Sequence, residues 1–369
     1  MKNKMTKVLY ILLAMLIGFI GGYLGSTFLT DTNLSLMNIL LAIITLIISF
    51  VLHLIIHEFG HLIFGKLTGY KMLSFRIFSY IWVKEEGRLV FKRLSVPGTL
   101  GQCLMVPPAH TNGQMPFKFY LLGGGLLNLI FSGLLLGGAI LFDFRSIHLL
   151  AFVMAGVITA LLNLIPMAFN DGMTLKKAWN DQEVQRYIYK QLTVNALTTH
   201  GTRYQDLTND LIEKPSKIDY YNMFHVWTFF VHYNRAVERF QFHAAKEIID
   251  ELWANIDPKS FYRVEIAKEW MFCQMYFAVN EAEVQTLYKE KSVQASLSPK
   301  MMNHFRVKAM YEWKIENNQD LATRLFEEGL SNIKKHANKA DLLFETNLIK
   351  HCLAEMEQER QVERPFYSL

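Results

Sequence analysis

Residues 52 to 65 read L-H-L-I-I-H-E-F-G-H-L-I-F-G, and they sit inside an apolar run whose only ionisable side chains from Asn33 to Gly65 are His53, His57, Glu58 and His61. Such a run is long enough to span a bilayer, where each ionisable group costs roughly 2 to 3.5 kcal/mol unless it serves a purpose. On a helix His57 and His61 stand four residues apart and project from one face, with Glu58 beside them. This is the H-E-x-x-H arrangement. Two imidazoles at that spacing reach one zinc ion, which takes a third protein ligand and a water whose pKa it lowers to about 7. Glu58 is then placed to take the water's proton and pass it to a leaving amine. His53 lies one further i, i+4 step back. It is separated from His61 by about 12 Å along the axis, too far for three such side chains to enclose one ion, so it reads as a polar neighbour, with ligation as the alternative.

Working outward, residues 8–29 form a 22-residue apolar run after Lys2, Lys4 and Lys7. They read as a retained anchor, with a cleaved signal peptide as the competitor. Further spans are expected at about 36–65, 119–142 and 149–169. The segment 67–118 between them carries Lys71, Arg76, Lys84, Arg88, Lys92, Arg93 and Lys118. The positive-inside rule makes it cytoplasmic, along with both termini, in a multi-pass protein of a bacterial cell membrane. Within it Phe75, Ile77, Ile81 and Val83 share one alternation and Leu89 and Phe91 follow a Glu85-Glu86-Gly87 turn, which predicts a β-hairpin. Its edge could pair with an extended peptide, or the hairpin could simply pack on the helices. Pro97-Gly98, Pro107-Pro108 and Asn112-Gly113 predict an irregular loop.

The last span ends in L-N-L-I-P-M-A-F-N-D-G at 162–172, where Pro166 removes a backbone hydrogen bond. Counting four spans from a cytoplasmic N-terminus returns Asp171 to the membrane face nearest His61, which lies roughly 7 Å inward from Lys66, with His57 roughly 14 Å inward. Asp171 is therefore the expected third ligand.

Composition bounds the remainder. The net charge of +5 comes from basic residues scattered among acidic ones in the second half, which argues against a nucleic-acid surface. Cys103, Cys273 and Cys352 are too few and too far apart for a disulfide framework or a C-x-x-C metal site. After a linker at 179–216 the chain reads as soluble and helical, with stretches near 218–237, 241–254, 259–279, 281–293, 299–317, 320–336 and 340–359. Tyr233 with Ala244, and Tyr311 with Ala322, each stand eleven apart, and the breaks recur at about 40 residues, as in a helical-hairpin solenoid. This region resembles a divergent tetratricopeptide-type array. Tyr220, Tyr221, Phe224, Trp227 and Phe230 are expected in its core.

With H-E-F-G-H at 57–61, Gly124 and Asn128 at a G-x-x-x-N spacing, and Asn163, Pro166, Asp171 and Gly172 at an N-x-x-P-x-x-x-x-D-G spacing, residues 36–175 resemble the site-2 protease family of intramembrane zinc metalloproteases. The resemblance implies one Zn2+ per chain on His57, His61 and Asp171, Glu58 as acid and base, and cleavage of a peptide bond in or beside a membrane helix. Asn163 and Asn128 would contact substrate or the oxyanion; alternatively Asn163 caps the loosened helix. That family's associated PDZ domain is not evident.

The expected fold is mainly α. A polytopic membrane bundle of about four spans with a small β-hairpin occupies residues 1–178, and a soluble all-α helical-repeat domain occupies 217–369. The expected partners are a membrane protein or peptide substrate, membrane lipid and a protein regulator at the repeats, in regulated intramembrane proteolysis or in signal- or pheromone-peptide processing. A different class of function, a catalytically silent binding or immunity protein acting through its repeats, keeps the same scaffold, but it leaves a buried Glu58 unexplained.

Overall fold

The structure is a computed structural model and describes residues 35–85, 87–93, 99–109, 115–167, 170–260, 262–298, 301–332 and 338–362, with isolated helical positions at 18, 22, 25 and 26. The span expected at 8–29 lies outside the described residues apart from those positions. The chain is mainly helical and divides into two compact units, residues 1–84 with 95–186 and residues 85–94 with 187–369.

The first unit is built on α1, Leu36–Leu67. Ser35 caps it by accepting a hydrogen bond from the Asn38 amide. Gly69, at φ +90°, ends it, with Tyr70 N–H donating to the Gly65 carbonyl. Its 32 residues rise about 48 Å, more than the bilayer's hydrocarbon core. Ser49, His53, His57, Glu58, Gly60, His61 and Gly65 are buried while Ile39, Leu40, Ile43, Ile44, Ile47, Ile48 and Leu52 are exposed. A helix that buries its polar stripe and exposes its leucines and isoleucines is consistent with one that crosses a membrane.

Two more helices are long and apolar enough to cross a membrane, α2 at Phe117–Leu141 and α3 at Ile147–Leu164. All three pack on one another. Glycine sets the spacing where functional side chains need it. A Cβ on Gly60 would stand 2.6 Å from the Gly123 carbonyl carbon, so the α1 and α2 backbones touch there.

Between α1 and α2 runs a sheet in the order β3-β2-β1-β4: β1 Lys71–Ile77, β2 Tyr80–Glu85, β3 Arg88–Arg93 and β4 Gly101–Val106. Phe75, Ile77, Ile81 and Val83 are buried as their alternation predicts, whereas Leu89 and Phe91 are exposed. A hairpin alone does not describe this region. Residues 101–106, expected in an irregular loop, form β4, antiparallel to β1 with Ile77 opposite Gly101 and Lys71 opposite Val106. The prolines around this short strand hid it.

The α3 helix stops at Leu164, short of the expected 169, because Pro166 cannot continue it. A short helix α4, Asp171–Ala178, follows. Asn170 joins the two ends: its Nδ2 donates to the carbonyls of Leu162 and Ile165, and its Oδ1 accepts from the amides of Met167 and Met173. Gly172 packs against the Leu164 carbonyl group with no room for a Cβ.

The second unit contains most of α5 (Gln182–His200), then α6 (Met223–Glu238), α7 (Phe242–Asn255), α8 (Arg263–Tyr276), α9 (Glu281–Tyr288), α10 (Lys291–Leu297), α11 (Met302–Lys314), α12 (Gln319–Ser331) and α13 (Lys339–Val362). Residues 179–216 are not a linker. They hold α5 and a 3-10 turn at Tyr204–Asp206, and Val194, Tyr204, Leu207 and Ile212 enter the same core as Phe229, Ile249, Met271, Met310 and Ile349. The stretch 281–293 is two helices, broken near Lys289. Tyr233, Tyr311 and Ala322 are buried, but Ala244 is exposed and Ala245 takes the buried place, so the eleven-residue spacing is not kept. Phe224 is buried, Tyr220, Trp227 and Phe230 are partly buried against the core that holds Phe229, and Tyr221 is exposed.

Candidate metal centre

The α1 periodicity brings the His57 and His61 rings together at a near-right angle, with their Nε2 atoms 3.1 Å apart. Asp171, the first residue of α4, brings its Oδ2 to 3.3 Å from His57 Nε2 and 3.2 Å from His61 Nε2. Among the described residues this trio is a cluster able to hold a metal ion. His61 Nδ1 lies 2.7 Å from the Tyr120 carbonyl, so it carries the hydrogen. In the neutral ring Nε2 is then a lone pair, aimed at a second imidazole nitrogen and at a carboxylate oxygen.

Three such atoms cannot converge without a proton or a cation among them. Four tetrahedral ligands at zinc's bond lengths of 2.0 to 2.2 Å stand about 3.3 Å apart, which is the spacing seen here. The donor set, two imidazoles and a carboxylate, fits zinc with one position open. In the alternative state, with a proton instead of a cation at this point, burial pushes the Asp171 carboxyl up, but the pull of His61 and the hydrogen bonds from both rings outweigh it and hold it below the ordinary carboxylate range. An anionic ligand results.

The surroundings fix these rings. A Cβ on Gly124 would stand 2.6 Å from His57 Nδ1 and Nε2, so α2 offers a flat bed on which the His57 ring lies. His57 Nδ1 is buried with no protein partner.

Glu58 is also buried, on the neighbouring flank of α1, and does not belong to the ligand cluster. It stands against β4, where a Cβ on Gly101 would be 2.5 Å from its Oε1. His53, fully buried, is held by Asn128 Oδ1 and the Phe152 carbonyl, each at 3.1 Å, and lies outside the cluster. Asn128 thus faces His53 with its Oδ1, while its Nδ2 is buried and unpartnered. Asn163 donates to the Thr159 carbonyl of its own helix at 2.9 Å.

Sequence reasoning missed three contributors. Tyr120 acts through its main chain, which no side-chain motif reveals. Asn170 was legible as a capping residue before Asp171-Gly172, but its reach back to α3 was not. Arg76, read only as a topological charge, is fully buried in strand β1.

No protein-family profile matches the chain, and no curated protein or solved structure matches it either.

Proposed function

We propose that the chain is an intramembrane zinc endopeptidase of the site-2 protease type. The observation that carries the reading is the convergence of His57 Nε2, His61 Nε2 and Asp171 Oδ2 within 3.3 Å, beside a buried Glu58, in a helix of membrane-spanning length. His57, His61 and Asp171 would hold the ion. When bound, zinc supplies a Lewis acid that polarises a peptide carbonyl and acidifies water. Glu58 takes the attacking water's proton and delivers it to the leaving amine, so one carboxylate serves both halves of the hydrolysis. Lipid-facing α1, α2 and α3 keep bulk water off the site, which strengthens each charge interaction inside it. A peptide bond presented to Glu58 must be in extended form. The terminal strand β4, which abuts Glu58, is suited to pair with such a segment. The helices of the second unit would recruit substrate or a regulator.

The test uses purified full-length protein, with metal per chain measured by mass spectrometry and cleavage followed on a panel of dye-labelled single-span peptides in lipid vesicles. About one zinc per chain and cleavage within an apolar segment are expected. A wild-type protein that binds zinc yet cuts no member of the panel, and whose expression leaves no new fragments in the membrane proteome, would defeat the reading.

A further inference from the structure

Arg76 is, with Arg306, the largest fully buried side chain among the described residues, at 1% exposure in the inner strand β1. A guanidinium in such a place normally faces a carboxylate. Here Nη1 donates to the carbonyls of Phe78, at 2.6 Å, and Thr99, at 3.2 Å, while Nη2 donates to Thr99 Oγ1 and more weakly to the Gly101 carbonyl at 3.5 Å. Its Nε is buried without a partner. Burial pulls the guanidinium below its ordinary value, and the charge of Glu58 opposes that pull.

The carbonyls it gathers share one feature. Phe78 is the turn between β1 and β2, held at φ 52° where a side chain is strained, and its N–H donates to the Leu100 carbonyl. Thr99 and Gly101 frame the entry to β4. Gly101, opposite Ile77 in the sheet, is the residue whose backbone lies against the Glu58 carboxylate. Only a planar fork reaches all four oxygens at once; an ammonium on a flexible stem does not.

We propose that Arg76 is a positioning residue for Glu58: it ties Phe78, Thr99 and Gly101 together so that the Gly101 backbone forms the wall against which the Glu58 carboxylate stands. The inference rests on the reading of Glu58 as the proton carrier. A charge this deeply buried is retained because main-chain oxygens of Phe78 and Thr99, which lie outside the strands, converge on it, and because the wall it builds must not drift.

The test compares Thr99→Val, Thr99→Ser, Arg76→Lys and Arg76→Gln in the full-length protein. Thr99→Val removes only the hydroxyl acceptor at nearly constant shape, so it serves if the Arg76 variants fail to fold. Kinetics use the zinc-loaded protein and the best-cleaved peptide of the panel; the visible spectrum of the Co2+-loaded protein is read in parallel. Thr99→Val and Arg76→Lys should keep one metal per chain and a nearly unchanged KM while kcat falls about 10 to 100-fold, with Thr99→Ser restoring it. In a Glu58→Gln background Thr99→Val should cost nothing further. The Co2+ spectrum of Thr99→Val should move toward that of Glu58→Gln.

The proposal is overturned by a rise in KM with kcat kept, by losses that multiply in the Glu58→Gln background, or by Co2+ spectra indistinguishable from wild type. A wild-type protein that takes up no Co2+ or cuts no peptide overturns the protease reading and this inference with it, and shows as a wild-type failure before any variants are compared.

Discussion

Two clusters of buried polar groups, one in each unit, are built on opposite principles. In the second unit Arg306, fully buried, donates from Nε to Glu345 at 2.8 Å and from Nη2 to Glu269 at 2.9 and 3.0 Å, and Glu269 also accepts from the Tyr233 hydroxyl at 2.8 Å. This cluster carries its own cation, although Arg306 Nη1 is buried without a partner. In the first unit His57, His61 and Asp171 direct acceptor atoms at a common point and include no permanent cation. The second cluster holds a permanent cation among its carboxylates; the first brings three acceptor atoms together without one. Buried charge by itself therefore does not mark a candidate site, but a convergent set of acceptors without a cation does.

The largest test of that contrast removes one member from the unbalanced cluster. Asp171→Ala should abolish both zinc binding and cleavage, while Glu58→Gln should cut turnover about 10² to 10⁴-fold and leave zinc in place, as metal analysis beside peptide cleavage will report. Zinc retained at full stoichiometry in Asp171→Ala would remove it from the ligand set.

The matched cluster should respond in stability alone. Arg306→Met strands Glu269 and Glu345 against each other, and should lower unfolding stability by about 3 to 5 kcal/mol. Urea midpoints of the full-length protein measure this, and zinc per chain should not change. A loss below 1 kcal/mol would mean that the pair of carboxylates takes up a proton and that the cluster is less dependent on Arg306 than its geometry implies.

His53→Ala comes next in size. The ring bonds to Asn128 and to the Phe152 carbonyl and lies off the ligand cluster, so activity should fall about 10 to 100-fold with zinc retained. Loss of zinc in this variant would reinstate His53 as a ligand.

The smallest effect concerns Asp341, which accepts from the Tyr204 hydroxyl at 2.6 Å. Burial, aided by Glu345 and Glu238 and opposed by the Tyr204 hydrogen bond, pushes its carboxyl up to about 6. A carboxyl raised in the folded state binds its proton more tightly there than in the unfolded chain. Stability is therefore gained as pH falls from about 6 toward 4 and lost as pH rises through that window. Asp341→Asn should flatten this slope and leave the protein slightly more stable than wild type at pH 7. Parallel melting curves of the two at pH 5 and pH 7 that differ by the same amount would show that Asp341 does not titrate in that window.

Much of the first unit was legible without coordinates, because a helix long and apolar enough to cross a membrane is recognised by composition alone, and any polar side chain in it is conspicuous. The three helices at 36–67, 117–141 and 147–164, and the grouping of His57 with His61, follow from periodicity and hydropathy alone. Most helices from 223 to 362 were equally plain. What those local rules could not reach was pairing at a distance. β4 depends on β1, its partner 24 or more residues away, and the helix at 182–200 looked like a linker because its apolar positions gain meaning only against a core assembled from residues up to 356. The sequence by itself determined which side chains could bind an ion. Only the tertiary structure decided that Asn170 folds α4 back to present Asp171, that the Tyr120 carbonyl orients His61, and that Arg76 lies buried against β4. Each of these acts through main-chain oxygens or a chain reversal, and main-chain atoms are the same at every position until folding places them.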